Sequence, residues 1–460
     1  MQLPRSMTTT TEPLDLLRGH PSTRLLPTAE INRAVTEILT NPLPQDSYSD
    51  IRHPLHYGPD NGNLNVREEI GKWTAEKYML RQAIPPENLY ITNGASYGLS
   101  TALSLFTSPQ SGYTKRAFII SPTYFLASRA FEDAGFAEKL TAIQSTKNSI
   151  DFISLNVALN NIDLYVPDVP LDIALQSSLR IGAKKEEKRL YKYVLYATPT
   201  FSNPTGETWD LATRQKLLEI AREWDMLVIA DDVYDFLGNQ EMFQSALVPR
   251  LVSLDAATIK PGDMGNTISN CSFSKLLGPG LRCGWIESAS PVLASQLGNA
   301  GAPHSGGCPS QFTSMIVHSL LVQSPGNSTR KIDVIIDNLT RTYTKRCDAL
   351  RKAIDYYLPQ GTEIEGGKGG FFAWLRLPER VDAAEVVKLA AEEGVVVASG
   401  GMSECPGKEN NMGWGTMCLR ISISYCEEDQ IVEGIRRLGV AVGRWKAGER
   451  SKDGSVVVVK

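Results

Sequence analysis

Between about residues 50 and 325, short apolar runs alternate with stretches of helical periodicity. Residues 89–92, 117–120, 193–196 and 226–230 are near-continuously apolar and predict strands, and 267–273 is a further strand candidate. Residues 95–103, 124–134 and 211–224 follow such runs and predict helices. Strands without strict polar alternation, joined through helices, imply a mostly parallel sheet covered on both faces. After residue 325 the texture changes. A charged helix over 331–357 precedes a strand at 370–375, a helix at 383–393, strands at 395–397 and 418–424, and a helix at 427–438. That pattern predicts a smaller α+β unit. Residues 143–190 are poorly patterned and read as an insertion, and 407–415 (rich in Gly, Asn and Met) reads as an exposed loop. The first dozen residues, with a Thr run and prolines, read as a disordered lead-in.

A chain of 460 residues is too long for one small core, so two units are expected. Hydrophobic content of 42% and charged content of 21% are those of an ordinary globular protein. A net charge of −4 gives no attraction for nucleic acid or an anionic membrane. The seven cysteines, Cys271, Cys283, Cys308, Cys347, Cys405, Cys418 and Cys426, form no CxxC pair, and the five histidines lack ligand spacing. Neither a disulfide framework nor a metal site is expected, and reduced, mostly buried thiols are. No apolar stretch approaches the ~20 residues that span a bilayer. The N-terminus lacks the apolar core of a signal peptide, so the cytoplasm is the expected location.

The most informative segment is Ser272-Phe273-Ser274-Lys275-Leu276-Leu277-Gly278-Pro279-Gly280-Leu281-Arg282. Its lysine follows two small hydroxyl residues at the end of a predicted strand, with an arginine seven positions on. Such a lysine forms an imine with a carbonyl, while hydroxyls and a guanidinium gather round a phosphate. Aldehyde and phosphate occur together in pyridoxal 5′-phosphate (PLP). Gly94-Ala95-Ser96 stands where a strand turns into a helix, whose free N–H groups make a phosphate seat. Asn203-Pro204-Thr205-Gly206 is by itself a turn, but Asp231-Asp232-Val233-Tyr234 closes the next strand. Residues at strand C-termini of a parallel sheet face the crevice where ligands bind. A carboxylate at Asp231 can keep a pyridine nitrogen protonated; Asn203 and Tyr234 can hold a ring oxygen. Tyr124 follows another strand and can stack on the ring or serve the core. Arg420 interrupts an alternating strand and needs a counter-charge, either a structural partner or a substrate carboxylate.

These motifs, in this order, resemble the class I/II aminotransferases, fold-type I PLP enzymes of the aspartate-aminotransferase superfamily. The resemblance covers nearly the whole chain. It implies an α/β fold, with a large domain at 51–325 and a small α+β domain at 326–460 joined by the N-terminal segment 1–50. It implies PLP as cofactor, bound by Gly94, Ala95, Ser96, Tyr124, Asn203, Asp231, Tyr234, Ser272, Ser274, Lys275 and Arg282. Lys275, Asp231 and Tyr234 are the catalytic candidates, and Asn203, Arg420 and Gly19 (in Leu16-Leu17-Arg18-Gly19-His20) would contact substrate. Tyr57, in Tyr57-Gly58-Pro59-Asp60, matches a family tyrosine that reaches the phosphate of a neighbouring subunit, which implies a homodimer with shared sites. Ala95 departs from a position that often carries a hydroxyl, and no second arginine for a dicarboxylate side chain is identifiable. Transfer of an amino group between an amino acid and a 2-oxo acid is the expected reaction. A β- or γ-eliminating lyase of the C–S type would use the same residues. A PLP-binding regulator would need a DNA-binding domain ahead of Leu16, for which the preceding residues leave no room.

Overall fold

Fourteen strands occur among the described residues. They are β1 (Leu14–Asp15), β2 (Leu89–Thr92), β3 (Arg116–Ser121), β4 (Leu140–Thr146), β5 (Ser149–Ile150), β6 (Tyr193–Ala197) and β7 (Met226–Asp231), followed by β8 (Thr267–Ser272), β9 (Gly284–Ser288), β10 (Glu363–Gly366), β11 (Phe372–Arg376), β12 (Val395–Val396), β13 (Ala398–Ser399) and β14 (Cys418–Ser422). The computed structural model describes residues 13–40, 52–176, 188–238, 247–323, 326, 329–378, 380–405 and 412–451. The expected N-terminal lead-in and most of the 407–415 loop lie outside the described residues, although Gly415 at its end is buried.

Eight strands form one sheet in the order β2-β9-β8-β7-β6-β3-β4-β5. β4, β3, β6, β7 and β8 run parallel to their neighbours; β9 runs antiparallel to both β8 and β2, and β5 antiparallel to β4. The apolar runs are continuous because both faces are covered. Ala117, Ile119, Val194, Tyr196, Leu227 and Ile229 join one core, whereas Phe118, Ile120, Leu195, Val228 and Ala230 join another. Each buried aliphatic or aromatic side chain contributes about 1.5–3 kcal/mol, so a central strand of five is strongly held. The carboxyl ends of β2, β3, β6, β7 and β8 consequently open on one edge.

A second sheet, β10-β11-β14-β13, is antiparallel throughout. It is flanked by the helices Lys331–Tyr357 and Glu428–Lys446, the second started by a capping box between Glu427 and Gln430. β1 pairs in parallel with β12, and Ser422 N–H donates to the Leu16 carbonyl at 2.8 Å, so residues 14–16 are tied to residues 394–396 and 422.

The charged helix expected over 331–357 is present with those bounds. Other expectations need correction. The helix expected over 124–134 is shorter, Ala127–Phe131, and passes into a wider turn, Glu132–Phe136, where Gly135 has φ 95°. The strand expected over 267–273 stops at Ser272, and Lys275 lies in a single helical turn, Phe273–Lys275. The strand expected over 395–397 is β12, Val395–Val396, and β13, Ala398–Ser399, follows it in a different sheet. Residues 143–176 are ordered structure: β4, β5 and the helices Phe152–Tyr165 and Leu171–Gln176. The first of these helices was illegible because it is apolar on both sides. Leu155 and Leu159 face the core, while Ile153 and Leu164 are 78% and 76% exposed, which erases the polar stripe that marks a surface helix.

Candidate active site

The carboxyl edge of the large sheet opens on a cavity of about 740 Å³. Strand β2 leads through Gly94, φ 89°, into the helix Ala95–Phe106. A Cβ on Gly94 would lie 2.7 Å from Arg282 Nη2, so the glycine is required both by its left-handed backbone and by the guanidinium beside it. Arg282 is itself in the left-handed region, φ 49°, and donates to the carbonyls of Asn93 and Pro279 at 3.0 and 3.2 Å. Beyond β8, the Ser272 hydroxyl accepts the Ser274 N–H at 3.1 Å and lies 2.9 Å from the Ser274 hydroxyl. Two hydroxyls, a guanidinium and a helix N-terminus thus share one corner, with Ala95, Ser96, Ser272, Ser274 and Arg282 all lining the cavity.

Lys275 follows directly. Its ammonium donates to the Gly19 carbonyl at 2.9 Å and lies 5.7 and 5.6 Å from the ring centres of Tyr234 and Phe371. Burial pulls its pKa down to about 8, against the attraction of Asp231 and with help from the charges of Arg420 and Arg282. Asp231 ends β7 and is buried; desolvation pushes its carboxyl up to about 6, and the Tyr196 hydroxyl, donating at 2.6 Å, acts in the opposite direction. Tyr234 and Tyr124 are both shifted upward by burial and by the Asp231 charge, which keeps them as phenols.

Arg420 on β14 reaches the same cavity. Its Nη1 donates to Asn203 Oδ1 at 3.0 Å, its Nη2 to the Leu17 carbonyl at 2.9 Å, and its guanidinium lies 4.4 Å above the Phe372 ring. The side chain is buried, its Nε has no hydrogen-bond partner, and burial lowers its pKa. Among the described residues no carboxylate lies within ion-pairing distance of it. Of the two sequence readings, the structural salt bridge is therefore absent.

The residues expected from sequence converge. Gly19, Ala95, Ser96, Tyr124, Asn203, Asp231, Tyr234, Ser272, Ser274, Lys275, Arg282 and Arg420 all line this cavity, and Gly94 stands against Arg282. Tyr57 does not line it and is 77% exposed. The residues present fit PLP: a reactive amine, a buried carboxylate, phenols and an amide, and a phosphate-shaped corner that a Cβ at position 94 would fill. Sequence reasoning missed several lining residues. In the sequence Tyr196 reads only as part of a strand, and Asn270 is legible as an amide within β8, which is buried throughout. Leu17, Phe125, Leu126, Met402 and Phe372 come from separate segments and carry no local signature. Arg18 also lines the cavity, but its guanidinium is paired with Asp15 at 2.8 Å and bonded to the Tyr425 hydroxyl.

A family model described as "Aminotransferase class I and II" matches residues 43–438. An uncharacterized protein of Saccharomyces cerevisiae is 41% identical over 440 residues, covering 93% of this chain and 96% of that protein. A 2-aminoadipate transaminase of Thermus thermophilus is 28% identical over 429 residues, covering 93% and 90%. Among solved structures, an alpha-aminoadipate aminotransferase of the same organism, complexed with N-(5'-phosphopyridoxyl)-L-leucine, superposes with a TM-score of 0.71 at 24% identity, covering 95% of this chain and 94% of that one. The kynurenine aminotransferase of Pyrococcus horikoshii gives 0.71 at 23%, covering 95% and 92%. At those identities the structural likeness speaks for the fold.

Proposed function

The chain belongs to the class I and II aminotransferases, and we propose that the cavity beneath Gly19 is its active site. The enzyme is a PLP-dependent transaminase that transfers an amino group between an amino acid and a 2-oxo acid. The observation that carries the site assignment is Arg420: a buried guanidinium with no carboxylate partner among the described residues, held by Asn203 in the cavity that contains Lys275. Such a group is costly unless an anion completes it, and the α-carboxylate of an amino acid has the matching fork.

When bound, PLP supplies an electron sink for the substrate's α-carbon. The chain's residues then have separable tasks. Gly94, Ala95, Ser96, Ser272, Ser274 and Arg282 hold the phosphate. Asp231, largely ionised near neutral pH, would pair with the ring nitrogen, Tyr234 and Asn203 would hold the ring oxygen, and Tyr124 would cover the ring. Lys275 Nζ is uncharged in a large fraction of molecules near pH 8, so it can anchor the aldehyde and later carry the α-proton. Arg420 and Asn203 orient the carboxylate. The wall made by Leu17, Phe125, Leu126 and Met402 is apolar, and Arg18 is already engaged by Asp15, which favours substrates with apolar or aromatic side chains over short dicarboxylates.

Residues 51–325 form the large domain in this reading, and 1–50 with 326–460 form a small one that closes over the site. The β1–β12 pairing and the Gly19 contact support that division. The working unit is a homodimer, with Tyr57 reaching the partner's phosphate corner; its exposure, and that of Leu55 at 67%, support this. No described helix is long and apolar enough to cross a membrane, and the seven cysteines are free and buried; both support a cytoplasmic protein.

The test is a screen of amino acids against the reconstituted enzyme, following the cofactor's absorbance, combined with borohydride reduction and peptide mapping. Amino acids with apolar or aromatic side chains should convert the cofactor, and the modified peptide should contain Lys275. Modification of a different lysine would overturn the site assignment.

A further inference from the structure

An ionised carboxylate in the Asp231 position has lost its water, and something must replace it. Among the described residues only two side chains donate to its oxygens. Tyr196, on the adjacent strand β6, donates its hydroxyl to Oδ2 at 2.6 Å. The ladder sets Tyr196 opposite Ile229, so Asp231 is its diagonal neighbour on the same sheet face. On the other side, β8 sets Asn270 directly opposite Asp231. Asn270 Nδ2 is 3.5 Å from Oδ1 and donates more closely, at 2.9 Å, to the carbonyl of Ala95 in the phosphate corner. Its approach depends on Gly98, where a Cβ would lie 2.3 Å from Asn270 Oδ1.

Other groups face the carboxylate without donating to it. Asp232, on the same strand end, repels its charge; Lys275, after β8, attracts it. The phenols of Tyr124, after β3, and Tyr234, after β7, sense its charge. Tyr196 therefore stands alone as a short, neutral donor. Its ring is buried against Phe131, with centroids 6.1 Å apart, which fixes where its hydroxyl oxygen lies; the Thr198 side chain is its other polar neighbour.

We propose that Tyr196 is a positioning residue that keeps Asp231 ionised and aimed at the cofactor's ring nitrogen, with Asn270 as a weaker second clamp. The proposal rests on the reading of Asp231 as the ring-nitrogen partner. A carboxylate stripped of a short donor in a buried site becomes easier to protonate. The effect belongs on the acid side of the cofactor-binding profile, where protonation of Asp231 removes the charge that the ring nitrogen needs.

The experiment titrates cofactor-free enzyme with PLP from pH 5 to 9, and in parallel with an analogue whose ring nitrogen is replaced by carbon. The analogue shares the aldehyde and phosphate, so it reports Lys275 and the phosphate corner without Asp231. Tyr196→Phe keeps the ring and its packing, and circular dichroism verifies the fold. The acid limb of PLP affinity should move upward by about one pH unit, with about a tenfold loss at the affected pH and little change for the analogue. Asn270→Ala should move it in the same direction by less. Asp231→Ala should abolish the difference between the two ligands. A wild-type acid limb in Tyr196→Phe, with the limb lost in Asp231→Ala, overturns the role of Tyr196 alone. A wild-type limb in Asp231→Ala overturns the ring-nitrogen reading and this proposal with it.

Discussion

The Lys275 ammonium donates to the carbonyl of Gly19 at 2.9 Å across 256 positions of sequence. The contact places the N-terminal segment directly over this amine. Gly19 fits there because it lacks a side chain: a Cβ would lie 2.7 Å from Cζ of Phe372. Gly19→Ala should therefore lift the segment, let water into the cavity and lower kcat/KM by about tenfold, or about 1.4 kcal/mol. Steady-state kinetics should show the loss with little change in thermal unfolding.

Lys275 has a second consequence. With its pKa pulled down to about 8, the rate of covalent capture of PLP by cofactor-free enzyme should rise with pH and level off above about 8. An exposed lysine would keep rising toward pH 10. Lys275→Ala should bind PLP weakly and lose turnover by at least about 10³-fold, the scale of a missing proton shuttle. Stopped-flow absorbance measures both.

Asp231 should make the cofactor-free protein pH-sensitive in a defined direction. Its folded pKa of about 6 lies above the ordinary 3.8, so the neutral form is favoured by folding. That contribution is complete at low pH and is lost as pH rises through about 6. Asp231→Asn, which has no charge to bury, should be more stable than wild type at pH 8, by up to about 3 kcal/mol, and equal to it near pH 4. Denaturant unfolding at the two pH values decides it, while the same variant should lose most of its activity.

Arg420→Lys keeps the charge but loses the fork and the Asn203 contact. The expected loss is about 10²-fold in kcat/KM for amino acids, carried mainly by KM. PLP affinity in the absence of substrate should be unchanged, and that split separates a substrate arginine from a structural one.

Behind the site, Arg250 donates to Asp235 Oδ2 through Nε and Nη2 at 2.9 and 2.5 Å and to Glu287 at 2.7 Å; Tyr78 donates to the same Asp235 oxygen at 2.8 Å. All four side chains are buried. Arg250→Ala would remove the cation from two buried carboxylates, leaving Asp235 the Tyr78 hydroxyl, and should cost about 3–5 kcal/mol, measured as a lowered denaturation midpoint. Nothing at the cavity surface reveals this dependence.

Much of the architecture was legible because burial imposes local patterns. The apolar runs of β3, β6 and β7 announced strands covered on both faces, and the long amphipathic stripe of Lys331–Tyr357 announced its own bounds. Helix Phe152–Tyr165 escaped, since exposed Ile153, Val157 and Leu164 mimic a second core face. The chemistry divided in the same way. Lys275 after its two serines, Asp231 at a strand end and Gly94 before a helix are chemical motifs whose meaning is local. What the tertiary structure alone decided was adjacency. It set the Tyr196 hydroxyl on Asp231, brought Gly19 onto Lys275, engaged Arg18 with Asp15 and left Arg420 without a carboxylate among the described residues. Those relations depend on which strands neighbour one another and on where a chain end folds back. They come from the packing of segments far apart in sequence, which no window of neighbouring residues records.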